Sequence, residues 1–165
     1  MKSSSVSGTF FLSGTVMIDL VKAVHEKGAE FRFKAQGFSM TPFIRNGDAI
    51  TIAPLISWAP GVGMITAFTH PCHQRMVVHR IIARHGDHYL FKGDNAFAPD
   101  GWVSRGQIFG FVRKVERKGR PVWFAGGGFP GHMIALVSRW TPVLPALLVV
   151  WKYLRCLTGK RIKQI

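Results

Sequence analysis

Three side-chain types that can together break an acyl bond occur here in turn-rich stretches. Ser39 sits in Gly37-Phe38-Ser39-Met40-Thr41-Pro42. His79 follows in Val77-Val78-His79-Arg80-Ile81-Ile82, and two carboxylates, Asp94 and Asp100, stand in Lys92-Gly93-Asp94-Asn95-Ala96-Phe97-Ala98-Pro99-Asp100. A serine hydroxyl is a weak nucleophile unless a base within hydrogen-bond reach takes its proton. Imidazole ordinarily titrates close to neutrality and suits that task. A carboxylate on the far ring nitrogen would fix the tautomer and stabilise the imidazolium. Each residue alone has a plainer reading. A serine between glycine and proline is commonly loop, and a strand histidine is commonly a satisfied half-buried side chain. The order Ser, His, Asp is what points to acyl transfer, with both carboxylates open as its acid.

These residues need a scaffold that presents them on turns. Residues 31–36, Phe-Arg-Phe-Lys-Ala-Gln, alternate and predict a short strand running into the Ser39 turn. Residues 49–53 and 64–68 are short apolar runs between Gly/Pro punctuation. Residues 76–84 predict a long strand, with His79 on the face opposite Val78 and Arg80. Residues 88–92 answer it across Gly86-Asp87. Residues 108–116 and 121–124 predict a second hairpin across Lys118-Gly119. Ahead of the strands, Thr15 to Glu26 reads as an amphipathic helix, with Val16, Leu20, Ala23 and Val24 on one face and Asp19, Lys22 and Glu26 on the other. Gly28 is its expected stop. The fold class expected is mainly β, with that N-terminal helix and a C-terminal apolar helical segment.

Gly-x-Ser-Met-x-Pro, then Asn46-Gly47-Asp48-Ala49-Ile50, then Val-Val-His-Arg, then Lys-Gly-Asp-Asn resembles the signal peptidase I superfamily over residues 31–116. The Ser/His form, known from archaea and the endoplasmic reticulum, is the nearer match. Bacterial relatives and the self-cleaving SOS repressors carry a lysine where this chain has His79. The resemblance implies a complex, mainly β fold, Ser39 as nucleophile and His79 as general base. In the Ser/His enzymes the triad acid lies six residues after the Asp of Gly-Asp-Asn. This implies Asp100 as the acid and Asp94 as a supporting residue, with Gly37, Met40 and Arg80 also supporting. Many signal peptidases have a hydroxyl residue two before the nucleophile, where this chain has Gly37. Phe38 replaces the usual small or polar residue before it. The Ser39 amide is then the natural oxyanion donor. The family binds substrate by β-augmentation, an extended peptide lying along strand edges. The strand before Ser39 and the strand bearing His79 are the expected walls.

Among the other polar residues, Arg80, Lys92 and Asn95 could hold loops around the site, surface charge being the plainer reading of the two cations. Asp48 reads as a turn residue with a backbone role. His70, Cys72 and His73 could form a metal cluster with His79, but the spacing is short and no second ligand pair is evident. No metal or other cofactor is expected. His85 and His88 flank a hairpin turn and are expected to be exposed.

The chain of 165 residues carries 22 Lys+Arg against 8 Asp+Glu, a formal charge of +14, with 47% hydrophobic residues. That balance favours an anionic partner, with anionic lipid and nucleic acid the obvious choices. Two cysteines, Cys72 and Cys156, do not make a disulfide framework and read as free thiols. The polar residues 1–8 are expected to be disordered, and residues 10–24 make neither a convincing signal peptide nor a membrane span. The organisation expected is a tail and helix at 1–29, a peptidase β domain at 30–125, a Gly-rich hinge at 126–131 and an apolar, basic, membrane-associating segment at 132–165. Its uncharged stretch, residues 140–151, is too short to span a bilayer. A kinked helix pair lying at the interface suits it better, followed by a tail with five cations and no acid. The function expected is a serine endopeptidase that removes a signal or leader segment from a peptide or preprotein at or near a membrane, the cytoplasmic face being slightly favoured. Self-cleavage is a second reading, which a DNA-binding domain and a lysine base would support. A non-enzymatic binder of anionic lipid or nucleic acid is a third. The missing recognition motif counts against nucleic acid.

Overall fold

The computed structural model describes residues 14–55, 58–124 and 126–140. The readings of residues 1–8 and of the apolar stretch and basic tail after Trp140 lie outside these residues, as does Cys156. Helix α1 spans Gly14–Glu26, and α2 spans Gly128–Trp140. Between them lie eight strands: β1 Phe31–Lys34, β2 Ala49–Pro54, β3 Ile65–Thr69, β4 Met76–His85, β5 His88–Lys92, β6 Gly101–Ser104, β7 Ile108–Arg117 and β8 Arg120–Pro121. All pair antiparallel in one sheet of order β1-β2-β7-β3-β4-β5-β6, with β8 on β7. The described residues are therefore mainly β with two helices.

The two expected hairpins are present. Gly86 (φ +57°) turns β4 into β5, and Lys118 and Gly119 (φ +51° and +76°) turn β7 into β8. At the second turn, two successive residues at positive φ match the right-handed twist of the flanking strands. Strand β6 was not expected, and β8 is shorter than residues 121–124 would suggest.

Register shifts interrupt the ladders at Thr51/Ile52, Ala67/Phe68 and Ile81/Ala83. Such irregularities bend strands and raise local twist. The sheet coils accordingly: β1 and β4, with three strands between them in sheet order, line the same cleft. One core lies under this coil, built from Met40, Ile44, Ile50, Ile52, Ile65, Ala67, Val112 and Val115. A second, around Phe68, Ile81, Tyr89, Phe91, Val103 and Ile108, packs the β3–β6 end.

Helix α1 buries a different stripe from the one its sequence suggests. Ile18 and Val21 are buried, whereas Val16 and Leu20 stand exposed. The sheet decides this: His25 Nδ1 lies 3.2 Å from the Phe109 carbonyl and the Lys22 ammonium sits over the Phe109 ring, so the 18–21–25 side faces inward. Helix α2 begins inside the Gly-rich stretch and packs on β4 through Ala135 and Ser138, both buried. Its outward side carries Phe129, Met133, Leu136 and Val137, all exposed. Among the described residues, no helix is long and apolar enough to cross a membrane.

Candidate active site

Ser39, His79 and Asp100 meet at one end of a cleft of about 720 Å³. Ser39 reaches it on the turn after β1. Gly37, at φ +88°, opens that turn in a conformation that other L-residues rarely adopt. The Gly37 amide donates to Asn46 Oδ1 at 3.1 Å, tying the turn to the loop before β2. Met40 is buried in the core beneath and anchors the turn from below. Ser39 itself is exposed, and Phe38 beside it is 68% exposed.

His79 comes from β4 and is 7% exposed. Its Nδ1 lies 2.6 Å from Asp100 Oδ2, and its Nε2 lies 2.8 Å from Ser39 Oγ. A carboxylate only accepts, so Nδ1 carries the proton and the Nε2 lone pair faces the serine hydroxyl. That is the tautomer needed to take the serine proton. Among the described residues no acceptor occupies the Ser39 amide, which is left free to receive a developing oxyanion.

Asp100, and not Asp94, meets the histidine. Asp94 is 3% exposed and forms a forked pair with Arg80, Nε to Oδ1 at 2.7 Å and a second guanidinium nitrogen to Oδ2 at 2.8 Å. Arg80, fully buried, also donates to the Gly63 carbonyl at 2.8 Å. The pair holds the 92–95 loop against β4. From that loop the Asn95 amide donates to the Ser39 carbonyl at 2.7 Å, and its side-chain amide donates to the Phe38 carbonyl at 3.2 Å. Lys92 is buried too. Its ammonium donates to the Ser138 carbonyl of α2 at 2.7 Å, and burial holds it below the ordinary lysine range against the pull of Asp94. Neither cation is surface charge: both are buried, and each is held by a partner well along the chain.

Gly93 is a residue that sequence reasoning missed. A Cβ there would lie 2.7 Å from the Ser39 carbonyl and 3.1 Å from both His79 Nε2 and Ser39 Cβ. A methyl group there cannot fit unless the Gly93 loop gives way or Ser39 shifts relative to His79. A displacement near 1 Å at reacting atoms costs about a hundredfold in rate. Gly93→Ala is therefore expected to lower turnover by about that factor while urea melting changes little; unchanged turnover would show that the loop yields freely.

Asp48 has the expected backbone role, its Oδ2 accepting the Arg45 amide at 2.8 Å. It also pairs with Arg117, at 2.9 and 2.7 Å. Burial pushes the Asp48 carboxyl up, but the Arg117 and Arg45 hydrogen bonds and charges outweigh it and hold it below its ordinary value. A depressed carboxyl stabilises the fold above its unfolded value, about 3.9. That stability is lost as pH falls from there toward the folded value. Asp48→Asn should flatten the melting temperature against pH below about pH 4, and an unchanged acid limb would contradict the pairing.

His70 and His73 stack at 4.6 Å between ring centroids, and His70 faces Asp100. No metal-holding group of three or more ligands occurs among the described residues. His85 and His88 are exposed, and Cys72 is an exposed free thiol.

The cleft walls are strand edges. Residues 33–38 form one and 76–79 the other. β1 pairs with β2 alone, and β5 joins β4 only from Arg80 onward. Each therefore offers a backbone edge with no strand on it among the described residues. No known protein-family model matches this chain, and no curated protein matches it, so the geometry of the site has to carry any functional reading.

Proposed function

We propose that this chain is a serine endopeptidase of the signal peptidase I type, cutting a signal or leader segment from a peptide or preprotein near a membrane. The observation that carries this is the unbroken relay from Ser39 Oγ to His79 to Asp100, at 2.8 and 2.6 Å, in a cleft between two strand edges. An extended peptide adds backbone hydrogen bonds to one or both edges, which sets its scissile carbonyl over Ser39. Ser39 Oγ attacks that carbon as its proton passes to His79 Nε2. Asp100 stabilises the imidazolium, and the Ser39 amide holds the oxyanion. Collapse breaks the C–N bond, His79 protonates the leaving amine, and water activated by the same histidine releases the acyl group. The test is a library of extended peptides incubated with detergent-extracted full chain, new termini being read by mass spectrometry. Cuts at a defined sequence position are expected; no cuts, or scattered ones, would overturn the proposal.

The membrane part of the proposal rests on α2. Its outward stripe of Phe129 (78% exposed), Met133, Leu136 and Val137 recurs at helical spacing, and the helix carries no carboxylate. An apolar stripe on a chain of charge +14 suits an anionic bilayer surface. Burying a Phe side chain contributes about 1.5–3 kcal/mol, so Phe129→Asp should weaken sedimentation with phosphatidylserine-containing vesicles by about tenfold or more. Binding unchanged by Phe129→Asp, or insensitive to salt, would count against this face.

A further inference from the structure

Asp100 touches two histidines. Oδ2 takes His79, while Oδ1 faces His70 Nε2 at 3.6 Å. The state of the second ring is set by its own backbone. The Cys72 amide donates to His70 Nδ1 at 3.2 Å. An N–H can donate only to a ring nitrogen that carries no proton, so the neutral ring keeps its hydrogen on Nε2. That hydrogen points at Asp100. The His70 backbone is fixed, its amide donating to the Arg75 carbonyl at 2.9 Å and its carbonyl accepting from the Gln74 amide at 3.0 Å, while His73 stacks on the ring face.

We propose that His70 is a positioning residue for the Ser39–His79 site, holding Asp100 with Oδ2 on His79 through an Nε2–H directed at Oδ1. This rests on the peptidase reading above only for its effect on rate. At 3.6 Å the contact is a charge–dipole attraction, longer than a hydrogen bond. Catalytic contacts of this sort commonly shorten when substrate is bound. Four groups face the ring: Asp100, His73, His79 and Arg75. Burial pushes His70 below its ordinary value, Asp100 opposes, and His73, His79 and Arg75 add to the depression. The ring is thus neutral at neutral pH, which is the form the Cys72 amide requires. Protonating it would place a hydrogen on Nδ1 against that amide.

Two readouts test this on the full chain, one of them independent of any substrate. In ¹⁵N-histidine-labelled protein, long-range ¹H–¹⁵N correlation should show His70 as the Nε2–H tautomer. The His79 Nδ1 proton, bonded to Asp100, should resonate at low field. His70→Phe keeps ring shape and stacking but removes the donor. It should move that proton upfield, and His70→Gln, which restores a donor near the Nε2 position, should bring it back. On a peptide cut by the wild type, His70→Phe should lower kcat about tenfold with KM unchanged, and His70→Gln should recover most of the loss. Equal urea melts for the three proteins separate positioning from general destabilisation. An Nδ1–H tautomer at His70, or a low-field proton indifferent to His70→Phe, would overturn the inference. Absence of any cut in the wild type, with the proton still responding to His70→Phe, would instead remove the peptidase reading and leave the positioning of Asp100 standing.

Discussion

His79→Ala is expected to lower peptide cleavage by about 10⁵–10⁶-fold in kcat, as much as Ser39→Ala, and the double variant by no more than either alone. The reason lies in the relay. With His79 gone, the Ser39 hydroxyl has no base at 2.8 Å, and Asp100 has nothing to orient. Groups that act as one unit lose their effect together, so the losses do not add. Asp100→Asn should cost less, about 10⁴-fold, because an amide at Oδ2 can favour the wrong tautomer without removing the base. KM should move little in all of these, since the strand edges that would bind the peptide are untouched. Initial rates on one defined peptide check the series. Additive losses, or a His79→Ala variant within tenfold of wild type, would mean that Ser39 is not activated by this histidine.

Asp94→Ala is the second large effect, and it acts on the fold. Removing Asp94 takes the forked carboxylate from the fully buried Arg80 charge, a cost of about 3–5 kcal/mol for breaking such a pair. Domains of this size have only about 5–15 kcal/mol in total, so roughly a fifth or more of the stability goes with one side chain. The melting temperature should fall by about 10 °C or more. Replacing both partners, Arg80→Met with Asp94→Leu, should recover much of the loss, because no charge is then stranded. The same substitution releases the loop whose Asn95 amide holds the Ser39 carbonyl, so activity should fall ahead of unfolding. Urea melts at constant m-value check the size of the effect. A loss below about 1 kcal/mol for Asp94→Ala would show that the pair does not hold this loop.

The sequence was most legible where its signals are local. Alternation and turn chemistry placed β1–β5 and β7 within a residue or two, and both hairpin turns fall where glycine follows or precedes a polar residue. Strand β6 was hidden because only four residues form it, directly after a Pro- and Gly-containing loop, and its pairing with β5 is a backbone ladder with little side-chain pattern. Helix α1 offered two apolar faces, and contact with Phe109, far along the chain, selected Ile18 and Val21 over Val16 and Leu20. At the site, the positions of Ser39 and His79 were legible as motifs. Spacing alone left Asp94 and Asp100 undivided. The structure divides them through Arg80, which takes one and leaves the other to His79. The closeness of Gly93 to Ser39 and of His70 to Asp100 depends on how the sheet coils, which no local pattern encodes.

The central claim is that Ser39 forms the bond to substrate, and acid-quench mass spectrometry tests it most directly. Wild-type protein is stopped in acid during turnover of the peptide library and digested, and the fragment containing Ser39 is weighed. The relay predicts a Ser39 fragment heavier by the acyl half of a cleaved peptide, and neither adduct nor cuts in Ser39→Ala. Cuts that persist at the wild-type rate in Ser39→Ala, or an acyl group found on another residue, would contradict it.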